Sequence, residues 1–326
     1  MTKDIFEKRE SMYPLEYPDL LKYADAIHEN FWTVEHFTYD RDVLDFKVNL
    51  SKNEQDVVKK VMLAIAVVEN KVKSFWSRID MRMPKTEIAD VGYTFGSNES
   101  IHRRTYEKLL ILLGLEKDFE KIDEIDCMRG RTAYLTKYLQ GINSRSNKEF
   151  TKSLILFTLL IENTSLFSQF LIMSSFNKYK NVLSNFNTVI GATASEEMVH
   201  GNFGAHLINI IRQENPEWFD DEMERKIRRS IAKAFKAECE VLDWIFEKGE
   251  LDFLSKNSII EFMKDRFNQS LAQIAYKPQF EVDQELLEPT LFLERSLKAA
   301  PSFDFFNQKS TEYSKTKEIS EDSLWD

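Results

Sequence analysis

Glycine and proline are scarce in this sequence, with 9 and 7 copies in 326 residues. Loops that cradle phosphates carry glycine at fixed spacing, and neither a G-x-G-x-x-G nor a G-K-[S/T] string occurs in the chain. β-Sandwiches are likewise rich in turn residues. The two shortages therefore argue against a nucleotide-binding loop and a sandwich, and they favour long helices.

Cysteine and basic residues are also in short supply. Cys127 and Cys239 lie far apart in the sequence and in no metal-binding spacing, which is typical of a protein from a reducing compartment. A net charge of -10 provides no basic face for nucleic acid. The N-terminal residues MTKDIFEKRE contain no apolar signal core. We therefore expect a cytoplasmic protein that binds no nucleic acid.

Charge is almost absent from one long stretch, residues 152–178, where Glu162 is the single charged residue between two terminal lysines. A helix that is apolar all round is buried, and a lone buried carboxylate costs several kcal/mol unless something pairs with it. A membrane span of about 20 apolar residues is one alternative, and a protonated or arginine-paired core glutamate is another. Five central polar residues argue against the membrane span: Asn163, Thr164, Ser165, Ser168 and Gln169.

Hydrophobic periodicity predicts an all-α chain of one domain followed by a tail. Ser51 and Glu54 form a capping box at the start of the first long helix, and Gly114 is suited to end the second. Beyond Lys277 the helical pattern fades. The predicted long helices are about 51–80, 87–113, 152–178 and 183–213, and the flanking helices are about 127–142, 220–247 and 257–276.

Two E-x-x-H motifs, Glu99 with His102 and Glu197 with His200, lie on two of these helices. Residues three apart share a helix face, so each pair can bind one ion, although a single motif is a weak signal. The two other long helices carry one candidate glutamate each, Glu69 and Glu162. Dimetal carboxylate bundles have this arrangement. Four carboxylates neutralise two divalent ions, and the mixed nitrogen and oxygen shell suits iron or manganese.

Tyr106 follows His102 by one helical turn, on the same face. An ordinary core tyrosine is the default interpretation, but a phenol beside a dimetal centre can be oxidised. The remaining histidines, His28, His36 and His206, do not share the face of either motif, and we expect structural or surface roles for them.

These residues resemble the small, radical-generating subunit family of class I ribonucleotide reductase, over about residues 20–285. The resemblance implies a ferritin-like helical bundle with a dimetal centre inside a four-helix core and extra flanking helices. It implies that Tyr106 matches the radical tyrosine, that Trp32 in the string Asn30-Phe31-Trp32 matches the pathway tryptophan, and that Glu196 occupies the relay position. It also implies the metal ligands Glu69, Glu99, His102, Glu162, Glu197 and His200.

Two positions depart from the pattern of many family members, which have aspartate where this chain has Glu69 and Glu196. Glu69 resembles the subclasses that use manganese, and Tyr106 argues against the mixed Mn/Fe subclass, in which phenylalanine replaces that tyrosine. The resemblance therefore favours a dimanganese pair, with di-iron and a tyrosyl radical as the next alternative and mixed Mn/Fe after it.

The C-terminal residues 286–326 resemble the family's flexible tail, which docks the large subunit, and residues 1–285 form the bundle domain. Tyr313 is the candidate bridging tyrosine on the radical route, with Leu324 and Trp325 as hydrophobic anchors. An ordinary disordered tail is the alternative. A homodimer and an activating flavoprotein are further expectations from the family.

The resemblance implies the small subunit of a ribonucleoside-diphosphate reductase. Such a subunit stores a one-electron oxidant at the dimetal site and passes it through Trp32 and Tyr313 to the large subunit, which reduces ribonucleotides to deoxyribonucleotides. A related ferritin-like oxidase or oxygenase on the same bundle is the first alternative. Metal storage or a helical scaffold is the second.

Overall fold

Helices account for the regular structure throughout the computed structural model, which describes residues 4–9, 11–72 and 74–299. The all-α prediction is confirmed, since an isolated bridge between Leu251 and Leu254 is the only β pairing in those residues. The α-helices are α1 Lys22–Glu29, α2 Asp40–Leu44, α3 Lys52–Val72, α4 Thr86–Leu113, α5 Glu116–Glu120, α6 Asp126–Leu139, α7 Asn147–Phe157, α8 Phe167–Lys180, α9 Ser184–Glu214, α10 Asp221–Ile245, α11 Lys256–Gln273, α12 Gln284–Leu287 and α13 Leu291–Lys298.

Four long helical segments form the bundle: α3, α4, the run from α7 to α8, and α9. Helix α3 packs against α4 and α8, and α9 packs against α7 and α8. The predicted capping box is present, because Ser51 N donates to Glu54 Oε2 at 2.7 Å and Glu54 N donates to Ser51 Oγ at 3.3 Å. Gly114 ends α4 in the left-handed conformation with φ 69°, as predicted.

Helix α3 ends earlier than the sequence predicts, and the prediction of one helix to about Asp80 is wrong. The helix stops at Val72, and a 3-10 helix, Trp76–Met81, follows it and packs on α4. This change of direction buries Phe75 and Trp76 in the bundle, and the apolar area of two aromatic rings favours it over a continued amphipathic helix. Gly92 on α4 allows the close approach, since a Cβ there would lie 2.6 Å from the Trp76 carbonyl oxygen.

The apolar central segment is helical from Asn147 to Lys180, but a π-helix, Thr158–Ser165, interrupts it between α7 and α8. Its length and composition would suit a membrane span, yet the whole apolar window is buried inside the protein. The segment is therefore the core helix of the bundle.

Past Lys277 the helical pattern continues further than the sequence predicts. Helices α12 and α13 form there, and α13 packs against α9. The division of the chain at residue 285 stays a prediction. Residues 300–326 lie outside the described residues, and with them Tyr313, Leu324 and Trp325.

Candidate metal centre

Each bundle segment contributes to one buried polar cluster. Glu69 comes from the last turn of α3, Glu162 from the π-helix, and the two E-x-x-H motifs from α4 and α9. The six side chains are at most 1% exposed: Glu69, Glu99, His102, Glu162, Glu197 and His200. The structure thus brings together all six predicted ligands, and metal binding by them stays a prediction.

The cluster divides into two overlapping groups of four residues. One group contains Glu69 and His102, the other contains Glu162 and His200, and both contain Glu99 and Glu197. Within each group the candidate ligand atoms lie within 4.8 Å of one another. Two shared carboxylates between two positions give the arrangement that two adjacent ions require.

At the first position, His102 Nδ1 faces three carboxylates. It lies 3.1 Å from Glu197 Oε1, 3.7 Å from Glu69 Oε2 and 3.8 Å from Glu99 Oε2. These atoms surround a space between the helices, and they come from three different segments of the chain.

The second position repeats this pattern around His200. Its Nδ1 lies 3.1 Å from Glu99 Oε1, 3.6 Å from Glu162 Oε2 and 3.7 Å from Glu197 Oε2. Each imidazole therefore meets one carboxylate of its own and the two shared ones.

The cluster's inward atoms have no hydrogen-bond partner among the described residues, although buried polar atoms are nearly always paired. These atoms are both oxygens of Glu69 and of Glu99, Glu162 Oε2, Glu197 Oε1, His102 Nδ1, and both ring nitrogens of His200. Carboxylate oxygens and imidazole nitrogens are donor types that bind divalent transition-metal ions. The residues present therefore fit a pair of divalent ions, which would supply the four positive charges that four carboxylates lack.

Without ions, the acids and imidazoles perturb one another. Burial raises the pKa of Glu69, Glu99 and Glu162, and repulsion from Glu197 adds to the shift. Burial opposes the charge of Glu197, but close contacts with the imidazoles of His102 and His200 outweigh it and lower the pKa of Glu197. Raised pKa values favour the protonated form of Glu69, Glu99 and Glu162, which lowers the negative charge of the cluster.

The π-helix that carries Glu162 frees backbone carbonyls, and nearby side chains satisfy them. Thr164 Oγ1 donates to two carbonyls of the preceding turn at 2.9 Å. The buried Arg266 donates from Nε and Nη2 to the Asn163 carbonyl at 3.0 and 2.8 Å. π-Helical turns are frequent at functional sites, and this one places Glu162 toward the cluster.

Trp32 and Glu196 lie at the edge of the cluster and connect it to a cavity. Trp32 Nε1 donates to Glu196 Oε2 at 2.9 Å, and His102 Nε2 lies 2.7 Å from the same oxygen. The Trp32 ring also stacks near His102, with centroids 5.9 Å apart and planes at 20°. The cavity of about 350 Å³ is lined by Trp32, Glu196 and small residues of α9.

Tyr106 is fully buried on α4. Burial raises the pKa of its phenol well above the usual value, and the Glu69 carboxylate adds to the shift. The phenol is therefore held protonated next to the first position. His206 packs against Tyr23, outside the cluster.

Sequence reasoning missed Trp76, whose Nε1 donates to Glu162 Oε1 at 2.8 Å. The sequence predicts that Trp76 belongs to a single helix over about 51–80, and nothing in that pattern indicates that the indole is buried in the core. It also missed Phe95, which lies one turn before Glu99 on α4. The ring centroids of Phe95 and His200 are 4.1 Å apart. The spacing of Phe95 and Glu99 on one helix face could have indicated this contact.

Two comparisons of sequence identify relatives. A family model described as "Ribonucleotide reductase, small chain" matches residues 9–286. A probable ribonucleoside-diphosphate reductase small subunit from Invertebrate iridescent virus 3 is 21% identical over 322 residues, which cover 94% of this chain and 85% of that protein.

Solved structures with the same fold include a ribonucleotide reductase R2 subunit. The ribonucleotide reductase R2 subunit from Clostridium botulinum has a TM-score of 0.78 at 16% identity, over 91% of this chain and 98% of that one. The dimanganese(II)-NrdF of Streptococcus sanguinis has a TM-score of 0.75 at 15% identity, over 88% and 99%. These likenesses confirm the ferritin-like fold. Since the family model covers most of the sequence, the chain belongs to the ribonucleotide reductase small-chain family.

Proposed function

We propose that this chain is the small subunit of a ribonucleoside-diphosphate reductase with a dimetal centre at the buried cluster. The observation that carries the proposal is the pair of overlapping ligand groups that share Glu99 and Glu197. In this assignment Glu69 and His102 would hold the first ion, Glu162 and His200 would hold the second, and Glu99 and Glu197 would contribute to both positions. When bound, the metal pair supplies a one-electron oxidant to the protein.

Dimanganese is the metal pair that we propose first, because Glu69 occupies a position where many relatives have aspartate. A structurally similar protein is described in its dimanganese form, which supports the compatibility of this fold with manganese. Di-iron and mixed Mn/Fe pairs use the same donor types. Tyr106, buried beside Glu69, is the residue that would carry a tyrosyl radical under the di-iron alternative.

Trp32 and Glu196 form the exit for the oxidising equivalent in this proposal. Glu196 Oε2 fixes the indole through its hydrogen bond and can accept the Nε1 proton when the indole loses an electron. The same oxygen contacts His102, so Glu196 links the indole to the proposed ligand shell. Tyr313 would continue the route toward the partner.

The partner in this proposal is a large subunit that binds and reduces the ribonucleotide, and the C-terminal tail docks it. The absence of phosphate-loop motifs in the sequence is consistent with this division of labour. We further propose a homodimer and activation by a flavoprotein, from the family resemblance, and a cytoplasmic location, from the few cysteines and the N-terminal sequence.

Metal analysis combined with electron paramagnetic resonance tests the proposal. We expect two manganese ions per chain, a multiline manganese signal after activation, and formation of deoxyribonucleotides when the large subunit is added. A sharp organic doublet on Tyr106 would support the di-iron alternative. Iron loading far above two ions per chain, or failure to support the large subunit with two ions bound, would contradict the proposed function.

A further inference from the structure

The two outer glutamates of the cluster differ in how many oxygens they can offer. Both carboxylate oxygens of Glu69 lack a hydrogen-bond partner among the described residues. Glu162 has one such oxygen, Oε2, because its Oε1 accepts the Trp76 indole N–H at 2.8 Å. The two metal positions are therefore unequal, although their sequence motifs are the same.

The Trp76 indole has no freedom to leave this contact. It is 0% exposed, and four phenylalanine rings pack against it with centroids 5.4 to 5.6 Å away: Phe75, Phe95, Phe157 and Phe203. Gly92 lets the Trp76 backbone lie directly on α4. Side chains packed on every side keep one rotamer, so the N–H direction is fixed by the core.

The donor is also neutral, which decides what it does to the ligand. An arginine or lysine at this place would cancel the charge that a metal needs, whereas an indole N–H leaves the carboxylate its negative charge. A hydrogen bond to a carboxylate oxygen orients the group and leaves the other oxygen for the ion.

We propose that Trp76 is a positioning residue that restricts Glu162 to one metal-facing oxygen. The indole holds Oε1, and Oε2 points toward His200, 3.6 Å from its Nδ1. Glu162 then binds as a single-oxygen ligand, while Glu69 is free to bind through two. This inference rests on the proposed dimetal function and predicts that the two ions bind with different affinities.

The alternative is that Trp76 only fills space and satisfies its own N–H on a convenient acceptor. The test therefore uses Trp76→Phe, which keeps an aromatic ring and removes the donor. Phe157→Leu is the matched control, because Phe157 packs on Trp76 without contributing to the cluster. A third variant carries benzothiophene in place of the Trp76 indole, which preserves the shape of the side chain without the N–H.

The measurement is a titration of the metal-free protein with Mn²⁺ alone under anaerobic conditions, followed by electron paramagnetic resonance. Loss of a partner that orients a ligand typically weakens metal binding about 10- to 100-fold. We expect such a loss for one of the two ions in Trp76→Phe and in the benzothiophene variant, with an altered spectrum of the bound pair. The other ion should keep its affinity within about twofold, and Phe157→Leu should match the wild type.

Unchanged affinities and an unchanged spectrum in the benzothiophene variant would overturn the role of Trp76. An equal loss in Phe157→Leu would also overturn it, since packing alone would then explain the effect. Failure of the wild-type protein to bind two Mn²⁺ ions is a different result, because it contradicts the proposed function itself.

Discussion

Glu196 contacts two rings through a single oxygen, since Oε2 meets both Trp32 Nε1 and His102 Nε2. Its other oxygen, Oε1, is buried without a hydrogen-bond partner in the described part of the chain. The residue is thus suited to take a proton from the indole, and its charge is the property that matters. A glutamine at this position could still accept the indole hydrogen bond but would not act as a base.

Glu196→Gln should therefore slow deoxyribonucleotide formation with the large subunit by about 10²-fold, the scale of a lost proton-transfer group. The metal content should remain two ions per chain, because Glu196 lies outside both ligand groups. The rate of turnover and the metal content are measured on the same preparation. A rate within twofold of the wild type would contradict the role of Glu196 as a proton acceptor.

At the scale of helices, the sequence predicts best where the signals are local. Helix α4 begins and ends within a residue of its predicted bounds. Its apolar spacing and the cap at Gly114 are local signals, which depend only on residues close together in the sequence. The two E-x-x-H pairs among the candidate ligands could be predicted for the same reason, because residues at i and i+3 share a helix face.

Features that depend on contacts between helices were not predictable in the same way. The end of α3 is set by the burial of Phe75 and Trp76 between other helices. The hydrophobic periodicity along α3 does not indicate that burial. The π-helix around Glu162 depends on Arg266 from a helix about 100 residues later. The contact between Trp76 and Glu162 depends on both the early end of α3 and the π-helix around Glu162, so it could not be predicted from either segment alone.

A second buried arginine connects four helical segments outside the metal cluster. Arg131 on α6 is 0% exposed and donates to Glu238 Oε1 at 2.9 Å, to the Ala64 carbonyl at 2.9 Å and to Gln169 Oε1 at 2.8 Å. It also donates to the Ser165 carbonyl at the end of the π-helix. The guanidinium thus ties α3 to the segment that carries Glu162.

Arg131→Met should lower the free energy of unfolding by about 3–5 kcal/mol, because it leaves Glu238 buried without its charge partner. The double variant with Glu238→Leu should lose less than the sum of the two single variants, since neither charge then remains unpaired. Urea unfolding of the metal-free proteins measures both values. Strict additivity would show that the two residues do not stabilise the bundle as a pair.

The N-terminal arm is anchored on α4 through Glu87, whose carboxylate is buried. Glu87 accepts hydrogen bonds from the backbone N–H groups of Glu16 and Tyr17, both at 2.9 Å. It also forms an ion pair with Arg9 at 2.9 Å. Burial opposes the charge, but these hydrogen bonds outweigh it and lower the pKa of Glu87.

A lowered pKa means that the charged form stabilises the fold above the ordinary glutamate pKa, and that this stability is lost as the pH falls through the folded value. Glu87→Gln should accordingly cost about 1–3 kcal/mol at pH 7, the range for a hydrogen-bonded charge. The difference from the wild type should shrink as the pH is lowered below about 4.5. Thermal unfolding of both proteins across this pH range checks the sign, and a constant difference would contradict it.

At the scale of the whole molecule, the family model matches residues 9–286, which include all six residues of the cluster. Four segments of the chain each place a carboxylate in one buried cluster, so the cluster forms only when all four segments pack together. Residues 300–326 lie outside the described residues and outside the match to the family model. Their proposed role, docking the large subunit, must therefore be tested by removing them.

Deletion of Tyr313–Asp326 should leave the bundle and its ions intact, because every residue of the ligand cluster lies between Glu69 and His200. We expect two metal ions per chain, an unchanged spectrum and a melting temperature within about 2 °C of the full chain, because the deletion removes no residue of the described helices. Deoxyribonucleotide formation with the large subunit should be lost. Tyr313→Phe in the full chain separates docking from the radical route, because it keeps the tail and removes the oxidisable hydroxyl. A truncated protein that retains turnover would contradict the tail's role and favour an independent oxidase on the same bundle.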